Sequence, residues 1–211
     1  MARNKTDLLY EVIIKKIAAG EYEPDSFLRE EELAKTGGVS RTVVRQALQR
    51  LHGAGLVRLI PNTGAVVMRA TLEDAINYIE ARIAIEGMAA GLFAGRASEE
   101  DLRQLEQIVC DLEKVVGKAL DTVQQLDAAF HDYIMDRCGN AVLKRIMDST
   151  RLQFMEWSVA RQWGYHATAG TADTHREILT ALQSRDAETA RKAMEGHINR
   201  SREAIIKRFG W

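Results

Sequence analysis

The sequence predicts a mainly α protein with one small β-hairpin near its N-terminus and an all-helical C-terminal part. Three observations predict it. Apolar residues recur at helical spacing up to Gly55, with glycines as punctuation. Two short β-branched runs, LVRLI and AVVMR, flank the turn residues Pro61, Asn62, Thr63 and Gly64. Both prolines of the chain, Pro24 and Pro61, lie before Ala70, so long uninterrupted helices are permitted beyond it.

A chain of 211 residues, 46% hydrophobic and 28% charged, is expected to be soluble and globular, at the upper edge of one domain or the lower edge of two. Its net charge of -1 conceals a segregation. Residues 1–70 hold 11 Lys and Arg against 8 Asp and Glu, whereas the remainder holds 18 against 22, so the basic part is N-terminal. Cys110 and Cys138 have no paired spacing of the zinc-knuckle or disulfide kind, and a reducing cytoplasm is the expected location. The opening MARNKTDLLYEVIIKKI is charged throughout with spaced apolar residues, which fits neither a secretory signal nor a membrane span. No membrane partner is expected.

Leu9, Val12, Ile13 and Ile17 share a face of the first helix, which Gly20 closes as a left-handed C-cap. After the turn at Pro24, Asp25 and Ser26, REEELAK predicts a short second helix with Leu33 and Ala34 turned inward. Thr36, Gly37, Gly38 and Val39 make a tight connection to a third helix, capped by Ser40. Val44, Ala47, Leu48 and Leu51 form its apolar face. Arg41, Thr42, Arg45, Gln46 and Gln49 occupy the other and can donate to phosphate oxygens or base edges. Between Leu33 and Leu72 there is no Asp or Glu, while Lys35, Arg41, Arg45, Arg50, Arg58 and Arg69 are basic, which suits a polyanion. For the helix alone, a solvated charged face is the better reading. Three helices followed by a hairpin make a winged helix-turn-helix over residues 1–70, with the hairpin tip able to lie along or in a minor groove.

Residues 71–211 predict the helical bundle. Thr71 can cap a helix running to about Gly95, and Ser98 with Asp101 can open another ending near Gly117. Further helices are expected over about 119–138, 141–164, 171–184 and 186–209, with Gly139, Gly164 and Gly170 between them. Asp127 and His131, four residues apart, share a helix face and can ligate one metal. His175 and His197, on two later helices, could close around the same point. Such a donor set suits a divalent ion such as zinc, nickel or manganese, with open positions left over. For any single histidine an ordinary core or surface place is the better reading, and spacing alone leaves the four-ligand site in the minority.

LAKTGGVSRTVVRQAL, continued by QRLHGAGLVRLIPNTGAVV, resembles the hallmark of the GntR family of bacterial transcription regulators, roughly LAxxxGVSRTPVREAL, over about residues 8–69. Val43 stands for the usual Pro and Gln46 for the usual Glu. Glu31 stands where many relatives carry an arginine that reaches DNA, so that contact is not carried over. The resemblance implies that Ser40, Arg41, Thr42 and Arg45 contact DNA, with Asn62, Thr63 and Gly64 at the wing tip, and that Arg50 and Arg58 touch phosphate or nothing. Over about residues 72–207 the order Asp-x-x-x-His, His in a THREIL-like segment, then His in the last helix resembles the FCD subfamily, and FHDYIMDRCGN and ILTALQSRDAETARKAMEGH match as well.

That second resemblance implies a metal held by Asp127, His131, His175 and His197, and a small organic acid whose carboxylate takes open coordination positions. Arg82, in EARIAIEG, matches the family's arginine and could clamp the acid. Arg137, Arg151 and Asn199 are weaker candidates, for which a helix-surface contact with an acid is an equal expectation. Phe154, Trp157, Trp163 and Tyr165 form an aromatic concentration suited to core, subunit interface or pocket. The implied function is a homodimeric, metabolite-responsive transcription regulator, expected to be a repressor, on a near-palindromic operator. Two alternatives stay open. One is a metal-dependent enzyme fused to a DNA-binding head, with Glu177 or Glu195 as base, although no HExxH-type motif is present. The other is a constitutive DNA-binding protein with structural histidines.

Overall fold

A computed structural model describes residues 4–115, 120–149 and 171–209. Their contacts gather into two compact units, one ending at Thr71 and the other beginning at Leu72.

The first unit begins with α1 (Lys5–Ala19), where the Asn4 side chain accepts from the Asp7 amide and Gly20, at φ 75°, closes the last turn. α2 (Glu30–Gly37) and α3 (Arg41–Gly53) follow, joined through Gly38, which is left-handed at φ 59°. Ser40 Oγ accepts from the Val43 amide at 3.4 Å. Val44, Ala47, Leu48 and Leu51 are buried against α1, whose Ile13 is fully enclosed. Each of these Val, Leu and Ile side chains contributes about 1.5–3 kcal/mol by leaving water, and the Ala47 methyl less.

The sheet differs from the two-stranded hairpin expected from sequence. Three antiparallel strands, β1 (Phe27–Arg29), β2 (Val57–Ile60) and β3 (Gly64–Val67), lie in the order β1-β3-β2. β1 pairs Leu28 with Ala65 and Arg29 with Gly64, and the hairpin pairs Leu59 with Ala65. A strand of three residues has too little alternation to register in sequence, and here backbone pairing with β3 holds it. Gly64, at φ 154°, is buried where a Cβ would lie 2.0 Å from the Leu28 carbonyl oxygen, so β1 can approach β3 only over glycine.

In the second unit α4 (Leu72–Arg96) starts directly after Thr71. α5 (Glu99–Val115) is opened by a reciprocal cap: Ser98 Oγ accepts from the Asp101 amide while Asp101 Oδ2 accepts from the Ser98 amide. α6 (Leu120–Arg137), α7 (Ala141–Met147), α8 (Thr171–Gln183) and α9 (Ala187–Phe209) complete the described bundle. α7 ends at Met147, and Asp148 and Ser149 are not helical, so the single helix expected over 141–164 breaks after two turns; Arg151, Phe154, Trp157, Trp163 and Tyr165 lie outside the described residues.

α4 packs against α6, α7, α8 and α9. Its closest crossing is with α9, where a Cβ at Gly87 would lie 2.7 Å from Glu195 Cγ and one at Gly91 would lie 2.9 Å from the Ala187 carbonyl oxygen. Phe93, Leu105, Phe130, Ile134, Ile178 and Leu182 fill the core between the helices. Among the described residues no helix is long and apolar enough to cross a membrane.

Candidate metal centre and nucleic-acid interface

Asp127 and His131 lie one turn apart on α6, His175 lies on α8 and His197 on α9. Each offers a ligand atom, and these atoms all fall within 4.8 Å of one another. His175 is fully buried, His131 and His197 nearly so, and Asp127 is one quarter exposed. His131 Nε2 faces His197 Nε2 at 3.2 Å, and His175 Nε2 lies 3.3 Å from Asp127 Oδ1. Bonds of about 2.0–2.1 Å to one ion, at tetrahedral or octahedral angles, leave neighbouring donors roughly 3 Å apart. Three imidazole nitrogens and one carboxylate oxygen at this spacing fit a divalent ion. Phe130 meets the His175 ring edge-on at 4.6 Å, an apolar wall on the same cluster.

Which nitrogen faces the centre is set from behind. His131 Nδ1 lies 2.6 Å from Glu86 Oε2, and His197 Nδ1 lies 2.9 Å from Thr174 Oγ1. Both contacts turn Nε2 toward the cluster. A nitrogen pair facing across 3.2 Å is satisfied by a shared proton or by a cation. Glu86 also accepts from Arg82 Nε at 2.5 Å. Burial opposes ionisation of this carboxyl, yet Arg82 and His131 outweigh burial and hold its pKa well below the usual carboxylate range. Burial disfavours the charged form of His131 too, but Glu86, by charge and hydrogen bond, raises its pKa above the ordinary value. His197 moves the other way: burial, then His131 and His175, push it far below an ordinary imidazole, so it stays neutral as a ligand must.

Glu86 and Thr174 were not singled out from sequence. Glu86 stands four residues after Arg82 on one helix face, a signal present in EARIAIEG; Thr174 precedes His175 but serves His197 across two helices, which no spacing reveals.

The remaining anticipated residues are placed as follows. Arg82 reaches the edge of the cluster through Glu86 and is only 11% exposed. Arg137 instead pairs with Asp101 at 3.2 Å and covers the Tyr133 ring, bracing α5 against α6. Asn199 donates to Glu203 along α9 and, two residues past His197, points to another side of that helix. Glu177 and Glu195 are ion-paired with Arg200 and Arg191.

In the first unit, Ser40, Arg41, Thr42 and Arg45 are exposed along α3, and Asn62, left-handed at φ 61°, is exposed with Thr63 at the tip of the β2–β3 turn. Gly64 lies beneath that tip, in the sheet. Sequence showed a window without acids; folding brings two acids of α2 alongside it. Arg45 Nε donates to both oxygens of Glu30, at 2.9 and 3.0 Å, and Arg41 lies 3.5 Å from Glu31. Arg50 pairs with Asp7 and lies over the Tyr10 ring.

Comparison with known proteins joins the two halves. The model for bacterial regulatory proteins of the gntR family matches residues 5–67, and the FCD domain model matches residues 77–200. A transcriptional regulator of the helix-turn-helix type from an unstable DNA locus of Streptomyces ambofaciens is 30% identical over 200 residues, covering 92% of this chain and 82% of that one. The transcriptional repressor RspR of Escherichia coli is 27% identical over 209 residues, covering 93% and 87%. Among solved structures, E. coli McbR/YncC superposes with a TM-score of 0.73 at 19% identity, covering 99% of this chain and 100% of that chain, a likeness of fold. These matches set the enzyme alternative aside: the chain belongs to the GntR family of bacterial transcription regulators, carries its FCD domain, and is a DNA-binding regulator.

Proposed function

We propose that this regulator is a homodimeric repressor that senses a small organic acid at a divalent metal. The observation that carries the reading is the convergence of Asp127, His131, His175 and His197 within 4.8 Å, with two of the imidazoles aimed from behind by Glu86 and Thr174. Zinc, nickel or manganese suits the donors, and such an ion, once bound, supplies open positions at which a carboxylate can be held. Arg82 stands beside those positions and offers its guanidinium to the acid's second oxygen.

The acid favours one arrangement of the protein over another only through contacts that differ between them, and the expected result is release of a near-palindromic operator. Two relatives carry repressor in their names, RspR and a regulator of D-xylose utilisation from Paenarthrobacter nicotinovorans, which supports the sign. On the DNA side, Ser40, Arg41, Thr42 and Arg45 enter the major groove while Asn62 and Thr63 reach the adjacent backbone, and Gly64 allows the wing its shape. A site in the cytoplasm follows from that partner.

Metal analysis of purified protein, joined to operator titrations with and without candidate carboxylates, tests the proposal. Metal near one ion per chain is expected, lost in Asp127→Ala and His197→Ala. Operator binding that ignores both metal and every carboxylate would instead leave a constitutive DNA-binding protein with structural histidines.

A further inference from the structure

We infer that Glu30 is a positioning residue that joins the recognition helix to the wing and sets the base discrimination of Arg45. The inference rests on Arg45 reading DNA, as proposed above.

Glu30 opens α2 and is 8% exposed. A carboxylate at that depth is costly unless its oxygens are satisfied, and both accept from Arg45 Nε. The main chain of the same residue is engaged on the other side: its amide donates to the Thr63 carbonyl at 3.0 Å, at the tip of the wing turn. The residue before it, Arg29, is in register with Gly64. One residue therefore holds α3 by its side chain and the β2–β3 turn by its backbone, and these two elements carry Arg41, Thr42, Arg45, Asn62 and Thr63 among the candidate DNA contacts.

The chemistry of the grip matters. It uses the Nε edge of a guanidinium that remains half exposed. An arginine anchored at Nε presents its terminal nitrogens in a fixed plane, as pairing with guanine O6 and N7 requires, whereas an unanchored arginine adapts to any phosphate. An acid set beside a polyanion also weakens binding to every sequence alike, so the anchor favours discrimination over raw affinity. The Glu31–Arg41 pair differs: both side chains are more than 60% exposed and 3.5 Å apart, too loose to fix a plane.

The test uses the full chain, a duplex selected by the wild-type protein from a randomised pool, and a random duplex of equal length. Glu30→Gln keeps an acceptor for Arg45 but removes the charge. It should leave the melting temperature nearly unchanged, lower the selected-to-random affinity ratio about tenfold, hold or raise affinity for the random duplex, and relax base preference at one position of each half-site. In an Arg45→Ala background, Glu30→Gln should cause no further loss of discrimination. An unchanged ratio, equal losses on both duplexes, or a further loss in the Arg45→Ala background overturns the inference. Should Glu30→Gln fold poorly, Glu30→Asp, which keeps the charge and withdraws the oxygens by one methylene, supports or overturns it by the same comparison. If Arg45→Ala alone binds the selected duplex as wild type does, the reading of Arg45 itself is what fails.

Discussion

At the scale of a residue, the second unit turns on Glu86. Its carboxylate lies between Arg82 and His131, so one charge orders the candidate effector arginine and a candidate metal ligand together. In Glu86→Gln the amide oxygen can still accept from His131 Nδ1, but the charge that makes His131 basic is gone. Metal affinity should fall about 10–100-fold, as measured by chelator competition. The pH dependence has a definite sign. A proton on His131 competes with metal, and Glu86 raises that proton's affinity, so metal binding should weaken on acidification from a higher pH than an ordinary imidazole near 6.5 would give. The midpoint in Glu86→Gln should move to lower pH, which titrations at several pH values would reveal. The spacing of this pair was visible in sequence but its role was not, because an Arg and a Glu four apart look like any surface pair until tertiary packing buries them.

At the scale of an element, caps and apolar faces were legible and the short strand was not. Ser40, Gly20 and the Ser98–Asp101 pair act where sequence placed them, because capping is local chemistry settled within three or four residues. β1 depends on a strand nearly forty positions away, and nothing within Phe27–Arg29 announces it. Gly64→Ala should therefore damage more than a turn. Its Cβ collides with β1, and strain of this kind costs on the order of 1–3 kcal/mol or more, seen as a lowered melting temperature and weakened operator binding.

The α5 cap yields a second expectation. Hydrogen bonds from Ser98, joined by Tyr133 and Arg137, hold the Asp101 pKa below its usual value against burial. Its contribution is then fully present above the unfolded value near 3.9 and is lost as pH falls through the lower folded value. Asp101→Asn should lower stability at neutral pH and show less additional loss on acidification in denaturation curves.

At the scale of the whole molecule, the four candidate ligands come from three helices, α6 and the later consecutive pair α8 and α9, and their outer contacts bring in α4 as a fourth. An ion there would act as a cross-brace. At one hundred times its dissociation constant it should add about 2.7 kcal/mol to the native state, read as a rise in melting temperature that His175→Ala abolishes. Only the Asp127–His131 pair could be assembled from spacing; His175 and His197 joined it through family resemblance, since the meeting of α6, α8 and α9 is decided by packing over the whole unit.

The close crossing of α4 and α9 has a consequence for anyone selecting variants. Gly87 follows Glu86 and lies under the side chain of Glu195, two residues before His197, so a methyl group added there displaces that side chain from its pair with Arg191 on the helix that carries one donor, and is itself next to the anchor of another. The Glu195 side chain can turn aside and the bundle remain a bundle. A screen for folded protein would accept such a variant, and only a screen for response would discover that the instrument had gone out of tune.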